Sequence, residues 1–219
     1  MYKLICFDLD GTLIDEIIFI WQAIHDALDT PLEIRRKAMD DFFSKKITYA
    51  EWAKHDVELW KQKNITKERL KEIIAPLKIM PGALETISEL KKQGMKIAII
   101  SGSIDIALEH VFPNYEELFD EVYINKLIFN EDGTIKDLIP TEYDLEHKAT
   151  ALKQIAERDG LSLNECVFIG DHDNDIHVAE TAGLSIAFNS KSDKFSQICN
   201  HVIDEKDLRL ILPLILNKL

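Results

Sequence analysis

Short apolar runs recur along the chain, each closed by a polar or glycine-bearing turn. They are LICF before Asp8, KIAII before Ser101, EVYI before Asn125, CVFIG before Asp171 and LSIAF before Asn189. Runs this brief, rich in Ile, Val and Phe and flanked by breakers, predict strands buried on both faces. Between them the apolar positions take helical spacing. PGALETISELKKQG opens at Pro81, sets Leu84, Ile87 and Leu90 at that spacing and stops at Gly94; EHKATALKQIAERDG stops at Gly160 in the same way. Strands alternating with helices predict an α/β fold: a Rossmann-like, mostly parallel sheet with helices on both faces. KLIFNEDGTIKDLI departs from the alternation. Its turn residues Glu131, Asp132 and Gly133 separate two apolar stretches and predict a small β-hairpin attached to the sheet.

Residues 15–78 follow a different pattern. The segment has no glycine, two prolines, three tryptophans and long charged periodic runs such as AEWAKHDVELWKQK, which predict helices. A helical cap inserted after the first strand, over a core made of residues 1–14 and 79–219, is the expected domain organisation, with helices that simply pack on the sheet as the alternative. The three tryptophans, Trp21, Trp52 and Trp60, are expected to form the core of that cap.

With 219 residues and 46% hydrophobic content, the chain is large enough for a full core. A formal charge of −13 argues against nucleic acid or an anionic membrane as partner, since both require clustered Lys and Arg. The apolar segment LRLILPLILNKL is too short to span a bilayer and is interrupted by Pro213. Cys6, Cys166 and Cys199 are few and widely spaced, without a C-x-x-C pair, so neither a disulfide framework nor a zinc site is expected and a reducing cytoplasm fits.

The candidate chemistry lies where the strands end. In FDLDGT, Asp8 and Asp10 are one residue apart, so both carboxylates point the same way if the extended geometry persists to its tip. Two like charges in one small space require a cation, a shared proton or a chemical task. Ser101 and Gly102 follow a second strand, and GDHDND, residues 170–175, follows a third. Ligands of parallel α/β sheets bind at these carboxyl ends. His172 and Asp173 are expected to be loop neighbours without a ligating role, and Cys6 a small buried hydrophobe.

With FDLDGTLID, IAIISGS, Lys148 in EHKATAL, and VFIGDHDNDIHVAETAGLSIAF in this order, the sequence resembles the haloacid dehalogenase superfamily of phosphohydrolases, and within it the phosphoserine phosphatases. DEKDLRLIL is similar to the ending of those chains. The resemblance covers residues 1–14 and about 79–219. It implies a magnesium-dependent phosphomonoesterase acting on a small phosphorylated metabolite through an aspartyl-phosphate. Asp8 is then the nucleophile and Asp10 the general acid and base, with Mg2+ held by the Asp8 side chain, the Asp10 carbonyl and Asp171, and Asp175 supporting that set. Thr12, Ser101, Gly102, Lys148 and Asn174 are implied as phosphate or substrate contacts, Ser101 and Gly102 at a helix N-terminus. Phosphoserine hydrolysis and phosphoryl transfer from the same intermediate are the alternatives. The cap departs from the phosphoserine phosphatases: Asp56 stands where they carry an arginine for the substrate carboxylate, and Glu16 lies near, though not at, their acidic residue for the substrate amine.

Overall fold

The computed structural model describes residues 1–216, which contain nine strands and eleven α-helices. Strand β1 (Leu4–Phe7) is buried along its whole length: Ile5 and Phe7 enter one apolar layer, Leu4 and Cys6 the other. Each large apolar side chain removed from water here contributes roughly 1.5–3 kcal/mol, which fixes the strand that carries Asp8. The other strands of its sheet are β4 (Lys96–Ile104), β5 (Glu121–Phe129), β6 (Ile135–Ile139), β7 (Cys166–Gly170), β8 (Leu184–Phe188) and β9 (His201–Ile203). Their order is β6-β5-β4-β1-β7-β8-β9, parallel throughout except for the β5–β6 pair. The chain leaves β1 for β4 on one side and later returns to β7 on the other, so a crevice opens at the carboxyl end of β1.

A second, two-stranded sheet pairs β2 (Ile14–Asp15) with β3 (Lys78–Ile79), antiparallel. Between these two strands run α1 (Ile20–Ala27), α2 (Leu32–Phe43), α3 (Tyr49–Gln62) and α4 (Lys67–Ile74). Helix α3 starts where Thr48 and Glu51 cap one another reciprocally, and α4 where Thr66 accepts from the Arg69 amide at 3.2 Å. The Lys67 amide donates to the Gly133 carbonyl at 2.8 Å and Thr66 bridges to Thr134, which ties the helical segment to the β5–β6 turn.

The remaining helices are α5 (Ala83–Lys92), α6 (Asp105–Val111), α7 (Tyr115–Leu118), α8 (Lys148–Arg158), α9 (Ile176–Thr181), α10 (Asp193–Ile198) and α11 (Leu212–Leu216). Ile87 and Leu90 of α5 join the layer of Ile5 and Phe7, and Leu152 and Ile155 of α8 join that of Leu4 and Cys6, so helices cover both faces as expected. Cys6 is a fully buried apolar contact, as its sequence position suggests. Among the described residues no helix is long and apolar enough to cross a membrane. Residues 217–219, the end of the LRLILPLILNKL segment, lie outside the described residues.

Two expectations are corrected. EVYI and KLIF are one strand, β5, because Asn125 stays inside the ladder with its side chain buried; the hairpin's first arm is therefore the continuation of a parallel strand. Ser101 and Gly102 do not open a helix. Strand β4 continues through them with a register shift between Ile100 and Ile104, and α6 begins only at Asp105.

Candidate active site

The β1 ladder extends one residue past the strand, since the Asp8 amide donates to the Ile169 carbonyl at 2.9 Å. The chain then turns tightly: the Leu13 and Ile14 amides both donate to the Leu9 carbonyl at 2.9 Å, and Gly11 takes φ +74°. A β-carbon at Gly11 would collide with the Asp171 carboxylate, so the turn needs glycine both for its dihedral and for the close approach of β1 to the β7 loop. Gly102 has a similar role without a positive φ, because a β-carbon there would overlap the Asp144 carboxylate.

This geometry brings the expected residues together. Lys148, the first residue of α8, is fully buried and donates from Nζ to Asp8 Oδ1 at 2.7 Å and to Asp175 Oδ1 at 2.6 Å. Asp175 uses its second oxygen to accept from the amides of Asp171, at 3.1 Å, and His172, at 3.5 Å. The Asp171 carbonyl is held by Ser190 Oγ at 2.8 Å. Burial opposes the Lys148 charge, yet Asp175 and Asp8 outweigh it and raise its pKa above that of an ordinary lysine. Burial, then the charges of Asp8 and Asp175, push Asp171 well above the carboxylate range. Burial raises Asp175 as well, against the pull of Lys148.

Asp8, Asp171 and Asp175 each offer a carboxylate oxygen within 4.8 Å of the others, all three buried. With all three carboxylates ionised, one ammonium would leave two negative charges in a desolvated space; Asp171 and Asp175 are raised for that reason, and a divalent cation with oxygen ligands matches the deficit. The donor set therefore fits a hard divalent metal ion.

Asp10 has partners other than Lys148. Its Oδ2 accepts from the Ile20 amide at 2.8 Å and its Oδ1 from Ser103 Oγ at 2.7 Å. Burial and the neighbouring Asp8 charge raise its pKa to about 7, partly countered by those two hydrogen bonds. Such a carboxyl can give and take a proton near neutrality. Asp8, Asp10, Ser101, Gly102 and Asn174 share the floor of one cavity of about 320 Å3. Thr12 Oγ1 and Asn174 Oδ1 are buried without a protein partner; Asn174 lines the cavity, and Thr12 does not.

The walls of the cavity come from the helical segment: Phe19, Trp21, Met39, Phe43, Tyr49 and Trp52, with Asp56 among them. Trp60 is core, fully buried against His25, as expected. Trp21 and Trp52 are not: both are half-buried wall residues, and Trp21 Nε1 donates to the Gly102 carbonyl at 2.8 Å. Glu16 is exposed and takes no part in the lining. His172 packs edge-on against Phe19, and Asp173 accepts from Ser192 Oγ.

Sequence reasoning missed Ser103 and Asn125. Ser103 carried a signal, since Ser101-Gly102-Ser103 sets two hydroxyls at strand period. Asn125 carried a misleading one, since a polar residue at the end of EVYI reads as the close of a strand. Its Nδ2 donates to the Gly102 and Ser103 carbonyls and to the Tyr49 hydroxyl at 2.8–3.0 Å, and its Oδ1 accepts from the Thr141 amide at 2.9 Å. One amide thus locks the β4 tip to the helical segment.

The family model of haloacid dehalogenase-like hydrolases matches residues 5–180. The phosphoserine phosphatase of Methanocaldococcus jannaschii is 33% identical over 97% of this chain and 97% of its own. That of Campylobacter jejuni subsp. doylei is 30% identical over 98% and 100%. A solved phospho-aspartyl intermediate analogue of phosphoserine phosphatase superimposes with TM-score 0.75 at 31% identity, covering 98% of this chain and 99% of that one. A substrate-bound phosphoserine phosphatase complex does so with TM-score 0.76 at 30% identity, over 98% and 99%.

Proposed function

Because the chain belongs to the haloacid dehalogenase-like hydrolase family, we propose that it is a magnesium-dependent phosphomonoesterase for a small metabolite. Residues 15–78 act as its cap and residues 1–14 and 79–219 as its core. The observation that carries the reading is the pair Asp8 and Asp10: adjacent in space, both buried, one ion-paired to Lys148 and the other poised near neutral pH.

Asp8 attacks the phosphorus in line with the leaving oxygen, and Asp10, protonated, gives that oxygen its proton. The product is an aspartyl-phosphate on Asp8. Asp10, now ionised, takes a proton from the water that attacks the phosphorus of this acyl phosphate; the bond to Asp8 breaks, inorganic phosphate leaves, and both carboxyls are restored. Lys148 neutralises charge on the phosphoryl oxygens. Ser101 accepts from the Ser103 amide at 3.2 Å, so its own hydroxyl hydrogen is available to a phosphoryl oxygen, alongside the Gly102 amide. Thr12 and Asn174, with their unpartnered oxygens, complete the contacts with phosphate or its waters.

Asp8, Asp171 and the Asp10 carbonyl would hold Mg2+, which supplies neutralisation of the dianionic ester, and Asp175 holds Lys148 and the Asp171 loop in place. The carboxylate set supports a hard, oxygen-seeking ion, for which magnesium is our assignment. A cytoplasmic location belongs to the same reading, supported by three free cysteines.

The test is phosphate release from 4-nitrophenyl phosphate and a panel of phosphomonoesters, with Mg2+ and with chelator, in the native enzyme and in Asp8→Asn. Turnover should require the metal and fall at least about 10^3-fold in the variant, whose fold is unchanged by circular dichroism. Substantial residual activity in Asp8→Asn refutes its role as nucleophile.

A further inference from the structure

The cap end of the cavity differs from what a carboxylate-bearing substrate needs. Trp21, Phe43, Tyr49 and Trp52 present aromatic side chains to it, and Asp56 is 6% exposed among them. Burial and the nearby Asp144 charge hold the Tyr49 phenol well above its usual pKa, so this ring remains uncharged. His25 and His55 approach Asp56 at 3.3 Å each. Trp60 Nε1 donates to His25 Nδ1 at 3.3 Å, so that nitrogen acts as an acceptor and the ring is not an imidazolium beside Asp56. Arg35 is the one cationic side chain among the described residues of the lining. It is already engaged, donating to Gln22 Oε1 at 2.6 Å and lying 3.6 Å from Asp26.

We propose that this end of the site selects phosphomonoesters whose alcohol carries an alkylammonium cation and no carboxylate. The inference rests on the phosphomonoesterase reading above and names its substrate class. Aromatic faces attract such cations through their quadrupoles, most strongly when water is excluded. Asp56 decides between the alternatives. It repels a carboxylate, and a neutral apolar group closed over it gains nothing from the carboxylate and removes its remaining contact with water; only a cation is favoured by rings and carboxylate together. The phosphate end supplies the opposite preference, so a substrate positive at one end and dianionic at the other is held in a single orientation.

Choline phosphate is the probe, and its uncharged isostere 3,3-dimethylbutyl phosphate is the control, since the two differ in charge and hardly in shape. With Mg2+, kcat/KM for choline phosphate should exceed that for the isostere at least about tenfold. Asp56→Asn and, separately, Trp52→Leu should each remove most of that ratio by bringing kcat/KM for choline phosphate down toward that for the isostere. Equal rates for choline phosphate and the isostere, with 4-nitrophenyl phosphate turned over, overturn the inference and leave the phosphatase reading intact. Preference for phosphoserine, abolished in Arg35→Met, overturns it in favour of a carboxylate held by Arg35. If no ester is hydrolysed, 4-nitrophenyl phosphate included, the phosphatase reading fails. Calorimetry of the two probes on Asp8→Asn then judges the cap end alone, and equal affinity overturns the inference there too.

Discussion

The two ends of the cavity are built by different means. At the phosphate end, Asp8 and Asp171 each follow a buried strand, Ser101 lies within one, and Lys148 begins the helix that covers one face of the same sheet. Neighbouring strands lie under 5 Å apart, so polar groups at adjacent strand tips converge as a consequence of the fold. At the cap end, the lining comes from α1, α2 and α3, whose side chains meet only because three helices pack in one arrangement. The first end is dense with compensating charge and intolerant of change. The second is aromatic, half-exposed and free to vary, so one scaffold can keep its chemistry while its substrate differs.

The comparison is tested most severely at Lys148. Lys148→Met keeps the length of the side chain and removes the ammonium that serves Asp8 and Asp175. kcat/KM should fall about 10^3-fold for every substrate alike, because the loss is at the phosphoryl group. The metal-free protein should also lose about 3 kcal/mol or more in denaturant unfolding, since removing one partner of a buried ion pair leaves uncompensated charge. Mg2+ should recover part of that loss by binding the native carboxylates. A change in substrate ranking instead of a uniform loss would break the division between the two ends.

A smaller effect separates positioning from chemistry within the phosphate end. Ser103 donates to Asp10 and so favours the ionised carboxylate. As general acid Asp10 must be protonated, so kcat/KM should decline as pH rises past about 7, the value to which burial and Asp8 bring it. Ser103→Ala removes a donor to the charged form, raises the Asp10 pKa and should move this alkaline limb to higher pH by about one unit. The rate below the limb should change little. A limb that stays in place, or moves to lower pH, contradicts the assignment of Asp10 as the acid.

How much of this could be read from the sequence follows the same division. CVFIG and LSIAF correspond residue for residue to β7 and β8, because short apolar runs buried on both faces leave no competing period. Asp8, Asp10, Asp171 and Lys148 were legible as strand-end or helix-start motifs. Strands β2, β3 and β9, at two or three residues each, are set by the neighbour they pair with and have no pattern of their own. Asn125 looked like a breaker, yet four hydrogen bonds satisfy it inside β5, an outcome that depends on Thr141, Gly102, Ser103 and Tyr49 arriving from elsewhere in the chain. Trp21 and Trp52 have the helical spacing of core residues. Period tells which face of a helix is apolar, and says nothing about whether that face meets another helix or a cavity.

The mildest test concerns the joint between the ends. Asp105 opens α6, just past the β4 tip, and its Oδ1 accepts from the amides of Ile106, at 2.9 Å, and Leu127, at 3.1 Å. Burial nevertheless raises its pKa from 3.8 to about 6. A carboxyl raised on folding imposes no penalty while both states are protonated, below about pH 4. Stability is then lost as pH rises, and the loss is complete once the folded-state value near 6 is passed. Asp105→Asn retains the Oδ1 acceptor and removes the charge. It should therefore stabilise the protein by about 2 kcal/mol at pH 7.5 and by nearly nothing at pH 4, read from urea unfolding at the two values. Neither kcat/KM for 4-nitrophenyl phosphate nor the ranking of substrates should move. If the ranking shifts with this substitution, α6 transmits the state of the sheet to the cap, and the two ends of the cavity are coupled through the joint that Asp105 and Asn125 share.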